Sequence, residues 1–202
     1  MRNITFDLSS LHEHGSAFFD FLALRKRHFV DSLGWDIPHN KNYEMDQYDN
    51  PEAYYSLALY HGEVVGGVRL MPTSTTWGKH TYMLRDAFNH RIDGIPPDML
   101  EAEITSTQVW EMTRLVISDE LRNPIERNEC LSTIGEGLQK IADTTDCQEF
   151  VGLTSPTLVR ALRRLGFVAE NGIKRYRDAK DGRTYGVLRI PVHQSAHLIA
   201  AE

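Results

Sequence analysis

A single α/β domain with a mixed central sheet is the fold this chain predicts, on three observations. Segments of helical periodicity alternate with short β-rich runs in the order helix, hairpin, strand, helix, strand, helix, strands. The 202 residues are enough to bury a sizeable core in one domain. No internal repeat, low-complexity tract or Pro/Gly-rich linker divides them.

From about Ser16 to Leu33, the residues Phe18, Phe21, Leu22, Leu24, Phe29 and Leu33 recur at mixed steps of three and four. That is the period of an amphipathic helix, interrupted by Arg25-Lys26-Arg27 and ended by Gly34. Residues 36–52 are polar with a proline towards each end, a long loop of the kind that often carries function. "AYYSLALY" and "EVVGGVRLMP" read as strands of a hairpin around a tight His61-Gly62 turn. Residues 73–105 are irregular, with a short helix near "MLRDAF", and "QVWEMTRLVI" is a further strand. Between Arg127 and Asp143, the spacing of Leu131, Ile134, Leu138 and Ile141 predicts a core-facing helix. "EFVGLTS" is a strand, and Pro156 suits the first turn of the next helix. There Leu158, Leu162 and Leu165 face inward while Arg160, Arg163 and Arg164 face out. "GFVAENGIKRYRD" and "TYGVLRIPV" close the sheet around an Asp181-Gly182-Arg183 turn, and the tail "HQSAHLIAAE" carries no readable signal.

Composition removes several classes of function. Apolar residues at 41% and charged residues at 25% are those of an ordinary globular protein. No run of eighteen apolar residues could span a bilayer, and the N-terminus lacks the apolar stretch of a secretory signal, so the expected residence is cytoplasmic. Cys130 and Cys147 form no CxxC and read as buried thiols in a reducing compartment. A net charge of −6 argues against nucleic acid as a ligand. Residues 156–190 nevertheless hold nine bases against three acids, leaving −12 on the remainder. An acidic body with one basic face suits an acidic partner; a face that is merely solvated reads equally well at this point.

The stretch "YEMDQYDN" gathers Glu44, Asp46 and Asp49 beside two tyrosines, as a metal site, a solvated turn or a pocket for a cation would. A calcium loop from Asp46 fails, because its sixth position is Pro51 and its twelfth is Leu57. HExxH, GxSxG, GxGxxG and GxxxxGK[ST] are all missing, and no metal is expected. Gly66-Gly67 within a strand pattern marks a bulge or a close backbone approach. What remains is charge in apolar strands: Arg69 in "VVGGVRLMP", and Glu111 and Arg114 in "VWEMTRLVI". Buried charge is costly unless paired, so these residues form an ion-pair network among themselves or they are functional.

In order and spacing, "LRKRHFVDSLGW", "EMDQYD", "GGVRLMPT" and "WEMTR" resemble the acyl-homoserine-lactone synthases, the LuxI-type autoinducer synthases. The matching positions are Arg25, Phe29, Trp35, Asp46, Asp49, Arg69, Glu111 and Arg114, with no departure. The resemblance covers about residues 15–190, the core of one domain occupying 1–202. Glu44 lies outside the pattern and reads as surface.

The resemblance implies an acetyltransferase-like (GNAT) fold and transfer of an acyl group from acyl carrier protein to the amine of S-adenosylmethionine. Lactonisation with release of methylthioadenosine would follow, giving a quorum-sensing signal. It implies no cofactor, since S-adenosylmethionine is a substrate. "VISDELRNPIERNE" contains no glycine where a coenzyme A pyrophosphate loop would need one, which fits a donor carried on a protein. Acyl-coenzyme A nonetheless stays possible as donor. Phe29 and Trp35 would stack on the adenosyl or sulfonium portion. Asp46 would hold the cationic end or the loop geometry, and Asp49 a bridge that shapes the pocket. Arg25 or Arg69 would take the carboxylate or pair with the acidic loop. Glu111 is the expected base, with Arg114 orienting it or its strand. Gly152 falls in the acyl pocket, where the lack of a hydroxyl leans towards an unsubstituted chain. Arg160, Arg163, Arg164, Lys174 and Arg175 are the expected carrier-protein face. The rival readings are an acyl-coenzyme A N-acyltransferase of the same fold acting on another amine, and a non-catalytic binding module.

Overall fold

The computed structural model describes residues 1–192; the tail "HQSAHLIAAE" lies outside them. Seven strands form one mixed sheet: β1 (Arg2–Asp7), β2 (Tyr54–Tyr60), β3 (Glu63–Pro72), β4 (Val109–Ile117), β5 (Glu149–Thr154), β6 (Glu170–Arg177) and β7 (Thr184–Pro191). Their order across the sheet is β1-β2-β3-β4-β5-β7-β6. β4 and β5 run parallel, while β1 pairs antiparallel with β2, and β7 antiparallel with both β5 and β6. The helices are α1 (Ala17–Arg25), α2 (Met83–Phe88), α3 (Pro124–Thr144) and α4 (Pro156–Arg164). None of the described helices is long and apolar enough to cross a membrane.

The element order matches the sequence reading from α1 onward, with three differences. "RNITFD" forms β1, a strand beyond those expected, in which alternate residues Ile4 and Phe6 are buried with a strand's period of two. The single helix expected over residues 16–33 is α-helical only to Arg25 and continues as a π-helix over Lys26–Ser32. Leu33 N donates to His28 O at 3.1 Å, five residues back, before Gly34 at φ 68° ends the element. On α4 the fully buried pair is Val159 and Leu162, with Leu158 and Leu165 only half-buried.

Two compact units make up the chain, one of Met1–Arg69 with Arg114–Ile141 and one of Leu70–Thr113 with Ala142–Glu202. In the first unit, Tyr55 sits at the centre of an aromatic cluster. Phe6 stacks on it at 5.3 Å, and Phe18 and Phe21 meet it edge-on at 5.2 and 6.2 Å. Gly66 and Gly67 are close-approach glycines, as expected. A Cβ on Gly66 would lie 2.5 Å from Cys130 Sγ, and one on Gly67 would lie 2.4 Å from a Leu57 methyl. His61 and Gly62 both have positive φ, 51° and 89°, as the twist of a two-residue hairpin turn demands. In the second unit, β5 and β7 bury Phe150, Val151, Val187, Leu188 and Ile190, and α4 buries Val159 and Leu162.

Candidate active site

In the first unit the acidic loop and the strand arginines meet in a ring. Arg25, on the last turn of α1, donates Nε to Glu44 at 2.6 Å and both terminal nitrogens to Asp49 at 2.7 and 2.9 Å. Arg69, on β3, reaches Asp49 at 3.0 Å and Asp46 at 2.6 Å. Arg114, on β4, reaches Asp46 at 2.7 Å and returns to Glu44 at 3.2 Å through Nε and Nη2. Three guanidiniums and three carboxylates thus alternate around a closed, electroneutral circuit. Side-chain exposure is zero for Arg25, Glu44, Asp49 and Arg69, 3% for Asp46 and 8% for Arg114. Every charge has two opposite neighbours, which is how a buried set of this size offsets its desolvation.

Local backbone chemistry holds the loop side of the ring. Tyr48 N donates to Asp46 Oδ1 at 2.9 Å, an Asx turn that suits this sequence to a loop, and Asp46 N donates to Asp49 Oδ2 at 2.9 Å. Tyr55 donates its hydroxyl to Asp49 at 3.0 Å. Burial works against ionising Asp49, but Arg69 and Arg25 outweigh it and hold the carboxyl well below its ordinary range. Asp46 is lowered in the same way by Arg69 and Arg114, against its own burial.

Each arginine also lies over an aromatic ring: Arg25 over Phe21 at 5.4 Å, Arg69 over Tyr48 at 5.6 Å and Arg114 over Phe29 at 5.5 Å. Phe29 stacks in turn on the half-buried Trp35, with centroids 4.9 Å apart and planes 25° apart. The π-helix supplies Phe29, and the loop after Gly34 supplies Trp35. Arg114 itself has φ 57°, a left-handed conformation that costs a non-glycine residue about 1–2 kcal/mol.

This geometry corrects one reading and narrows others. Glu44 is fully buried and bridges Arg25 to Arg114. It is a ring member, the second carboxylate of Arg25 beside Asp49 and of Arg114 beside Asp46. Asp46 accepts Tyr48 N within the loop, and Asp49 bridges Arg25 and Arg69. Arg25 and Arg69 pair with the acidic loop. Arg69 and Arg114 do belong to a buried ion-pair network, with Glu44, Asp46 and Asp49 of the loop among its acids. Glu44 had one legible signal, its place in the same acidic octet. Tyr48 shared that signal, while Tyr55 and Phe21 had none, since only the fold brings them to the ring.

In the second unit Glu111 is 1% exposed. Its two carboxylate oxygens accept the Leu84 and Met83 N–H groups at 2.8 and 2.9 Å, so it anchors the start of α2. The β4–β5 ladder pairs Val109, Trp110 and Glu111 with Glu149, Phe150 and Val151. At the next residue of β5, a Cβ on Gly152 would lie 2.4 Å from Met112 O. Position 152 is therefore a close-packing glycine with no space for the side chain whose absence bore on acyl choice. Arg160, Arg163, Arg164, Lys174 and Arg175 are all exposed, on α4 and β6. Arg163 Nε is already engaged by Ala169 O at 2.7 Å, and Lys174 pairs with Asp98 at 3.3 Å.

Among solved structures, the AHL synthase LasI matches at a TM-score of 0.79 and 20% identity, over 98% of this chain and 93% of that one. BjaI, a CoA-dependent acyl-homoserine lactone synthase with SAM and isopentyl-CoA, matches at 0.70 and 17%, over 96% and 85%. An acyl-CoA N-acyltransferase from Pseudomonas aeruginosa matches at 0.53 and 15%, over 93% and 97%. The fold is that of the GNAT-like acyltransferases. Sequence narrows the class: residues 9–196 match the Autoinducer synthase family. The acyl-homoserine-lactone synthase of Aeromonas hydrophila is 31% identical over 155 residues, 75% of this chain and 69% of that protein. That of Pseudomonas fluorescens is 40% identical over 114 residues, 52% of each chain. The chain belongs to the autoinducer synthase family and is an acyltransferase of the acyl-homoserine-lactone synthase kind.

Proposed function

We propose that the chain joins the acyl group of an acyl carrier protein to S-adenosylmethionine and releases the lactone and methylthioadenosine. The stack of Arg114, Phe29 and Trp35 on a neutral ring carries this reading. With its carboxylates saturated by arginines, the ring offers a sulfonium no free anion, so the aromatic faces of Phe29 and Trp35 receive the cationic adenosyl end. Arg114 keeps Nη1 outside every hydrogen bond of the ring, and that nitrogen takes the methionine carboxylate.

Acylation needs the amine as a free base. Glu111, its carboxylate oriented by two α2 N–H groups, accepts the ammonium proton directly or through a water. The amine nitrogen bonds to the thioester carbonyl carbon, the C–S bond breaks, and the thiol leaves with a proton. Backbone N–H groups beyond the β4–β5 ladder meet the transient oxyanion. The methionine carboxylate then attacks the γ-carbon, whose bond to sulfur breaks, and sulfur departs neutral as methylthioadenosine.

The exposed arginines of α4, with Lys174 and Arg175, receive an acidic carrier. BjaI holds isopentyl-CoA, which keeps acyl-coenzyme A as the second donor and an N-acyltransferase of another amine as the second activity. The product would act as a quorum-sensing signal.

Mass spectrometry of the protein with S-adenosylmethionine and parallel panels of acyl carrier proteins and acyl-coenzyme A thioesters tests the proposal. Lactone with methylthioadenosine from the carrier panel is the expected result. Lactone from the coenzyme A panel alone would change the donor, and neither product from folded protein would overturn the reaction.

A further inference from the structure

The second unit holds a cavity of about 610 Å³ whose residues take no part in the reaction proposed above. Lys79, His80, Arg85 and Arg91 line it with Thr76 and Thr81, and no carboxylate lines it among the described residues. The carboxylates that these cations touch, Glu103 and Asp86, are not part of the lining. Arg85 pairs with Glu103 through Nε at 3.1 Å and Nη2 at 3.0 Å, and Arg91 Nη1 lies 3.6 Å from Asp86. Three permanent positive charges therefore meet two negative ones, and one is left uncompensated. Several donors are unspent as well. Lys79 Nζ makes no hydrogen bond or ion pair among the described residues. Arg85 keeps Nη1, and Arg91 keeps Nε and Nη2 after giving Nη1 to Lys79 O at 3.1 Å.

The lining is held in place from behind. Asp86, wholly buried, accepts Thr81 N at 3.2 Å and Thr81 Oγ1 at 2.7 Å, and its Oδ2 meets His80 Nδ1 at 3.3 Å. Arg91 N donates to Asp86 O at 2.7 Å. Trp77 and His80 exchange both backbone hydrogen bonds, at 2.9 and 3.0 Å, across a tight turn that opens on Gly78 at φ 60°. Residues paired in this way present their side chains to one face, so Trp77 stands beside the cavity that His80 lines. Its indole is 49% exposed, an aromatic face next to a cluster of cations.

We propose that this cavity is a binding site for a nucleoside diphosphate, with the phosphates on Lys79, Arg85 and Arg91 and the base on Trp77. Guanidinium forks match phosphate oxygens, and an uncompensated positive charge in a concave wall selects anions. The volume is that of a small-molecule site and far more than a bare phosphate fills, which leaves room for the nucleoside beside the indole. S-adenosylmethionine, a cation without phosphate, does not suit it. Free nucleotides and the nucleotide end of coenzyme A share the chemistry that does. The site is read by binding alone, so a protein that makes no lactone still reports on it.

Isothermal titration of the full chain with ADP, pyrophosphate, adenosine and coenzyme A at about 0.15 M salt is the test. ADP should bind saturably at one site, pyrophosphate more weakly and adenosine not at all. Lys79→Glu should weaken ADP at least about tenfold, by setting a carboxylate against the phosphates. The Lys79 side chain is exposed and unpaired, so this variant keeps the fold. Trp77→Ala should weaken ADP about tenfold, the scale of one base stacking on an aromatic ring, and leave pyrophosphate within about twofold. Displacement of ADP by coenzyme A in the parent would support the site and name the donor's nucleotide end as its ligand. Lys79-dependent ADP binding that coenzyme A does not disturb would support it with a free nucleotide instead. The proposal is overturned by an absence of saturable ADP binding, or by ADP binding unchanged in both Lys79→Glu and Arg91→Gln, which would place the nucleotide on another basic surface. ADP binding no tighter than pyrophosphate and indifferent to Trp77→Ala would likewise reject a nucleotide site.

Discussion

At the scale of single residues, Glu44 and Gly152 show what a side chain means only in context. An octet holding three carboxylates looks like a site hungry for cations. In the fold, three arginines pair with its carboxylates, so its charge is answered within the protein. Position 152 looks like a missing hydroxyl, yet a Cβ there would meet Met112 O at 2.4 Å. Gly152→Thr should therefore destabilise the protein by about 1–3 kcal/mol through overpacking. Denaturant unfolding with an unchanged m-value would record it; a stable Thr variant with altered acyl preference would show that β5 yields. Cys130 and Cys147 are buried, and burial pushes both thiols up to about 12. Native protein at neutral pH should resist iodoacetamide at both positions and react only as it unfolds, which mass spectrometry of the quenched reaction would reveal.

At the scale of elements, the π-helix over Lys26–Ser32 is the feature that periodicity alone misses. Steps of three and four are compatible with one continuous α-helix. The extra residue per turn is accommodated because Phe29 buries against Trp35 and Arg114. Phe29→Ala should raise KM for S-adenosylmethionine at least about tenfold, a loss of order 1.4 kcal/mol in binding; an unchanged KM would remove Phe29 from the platform. The basic face divides along similar lines. Arg163 is tied to Ala169 O, so Arg160 and Arg164 are the freer charges of α4. Arg160→Glu with Arg164→Glu should raise the carrier-protein KM about tenfold at low salt, and less as salt screens the contact. A carrier KM insensitive to both changes would move the docking site elsewhere.

At the scale of the molecule, the buried ring makes stability depend on acid pH. Asp46 and Asp49 are held below their ordinary range in the folded state, so their contribution is complete above the unfolded value, about 3.9. It is lost as pH falls through the lowered folded values. Arg25 is raised above its ordinary value, burial being outweighed by Asp49 and Glu44, so its share would fade only at extreme alkalinity. Unfolding free energy should hold level from about pH 5 to 8 and decline below about pH 4. Asp49→Asn should lower the plateau and flatten the acid limb; an unchanged acid limb would place the sensitive carboxylates outside the ring.

The sequence by itself determined the α/β class, the order of nearly every element and the resemblance to the family, because these are written in periodicity, turn residues and motif spacing. Tertiary structure decided which charges answer which. Arg25, Glu44, Arg69 and Arg114 span ninety residues, and local patterning carries no information about partners brought together by sheet and loop. It also decided that Glu44 is buried and that position 152 has no room for a side chain, since burial and close approach belong to the packed chain.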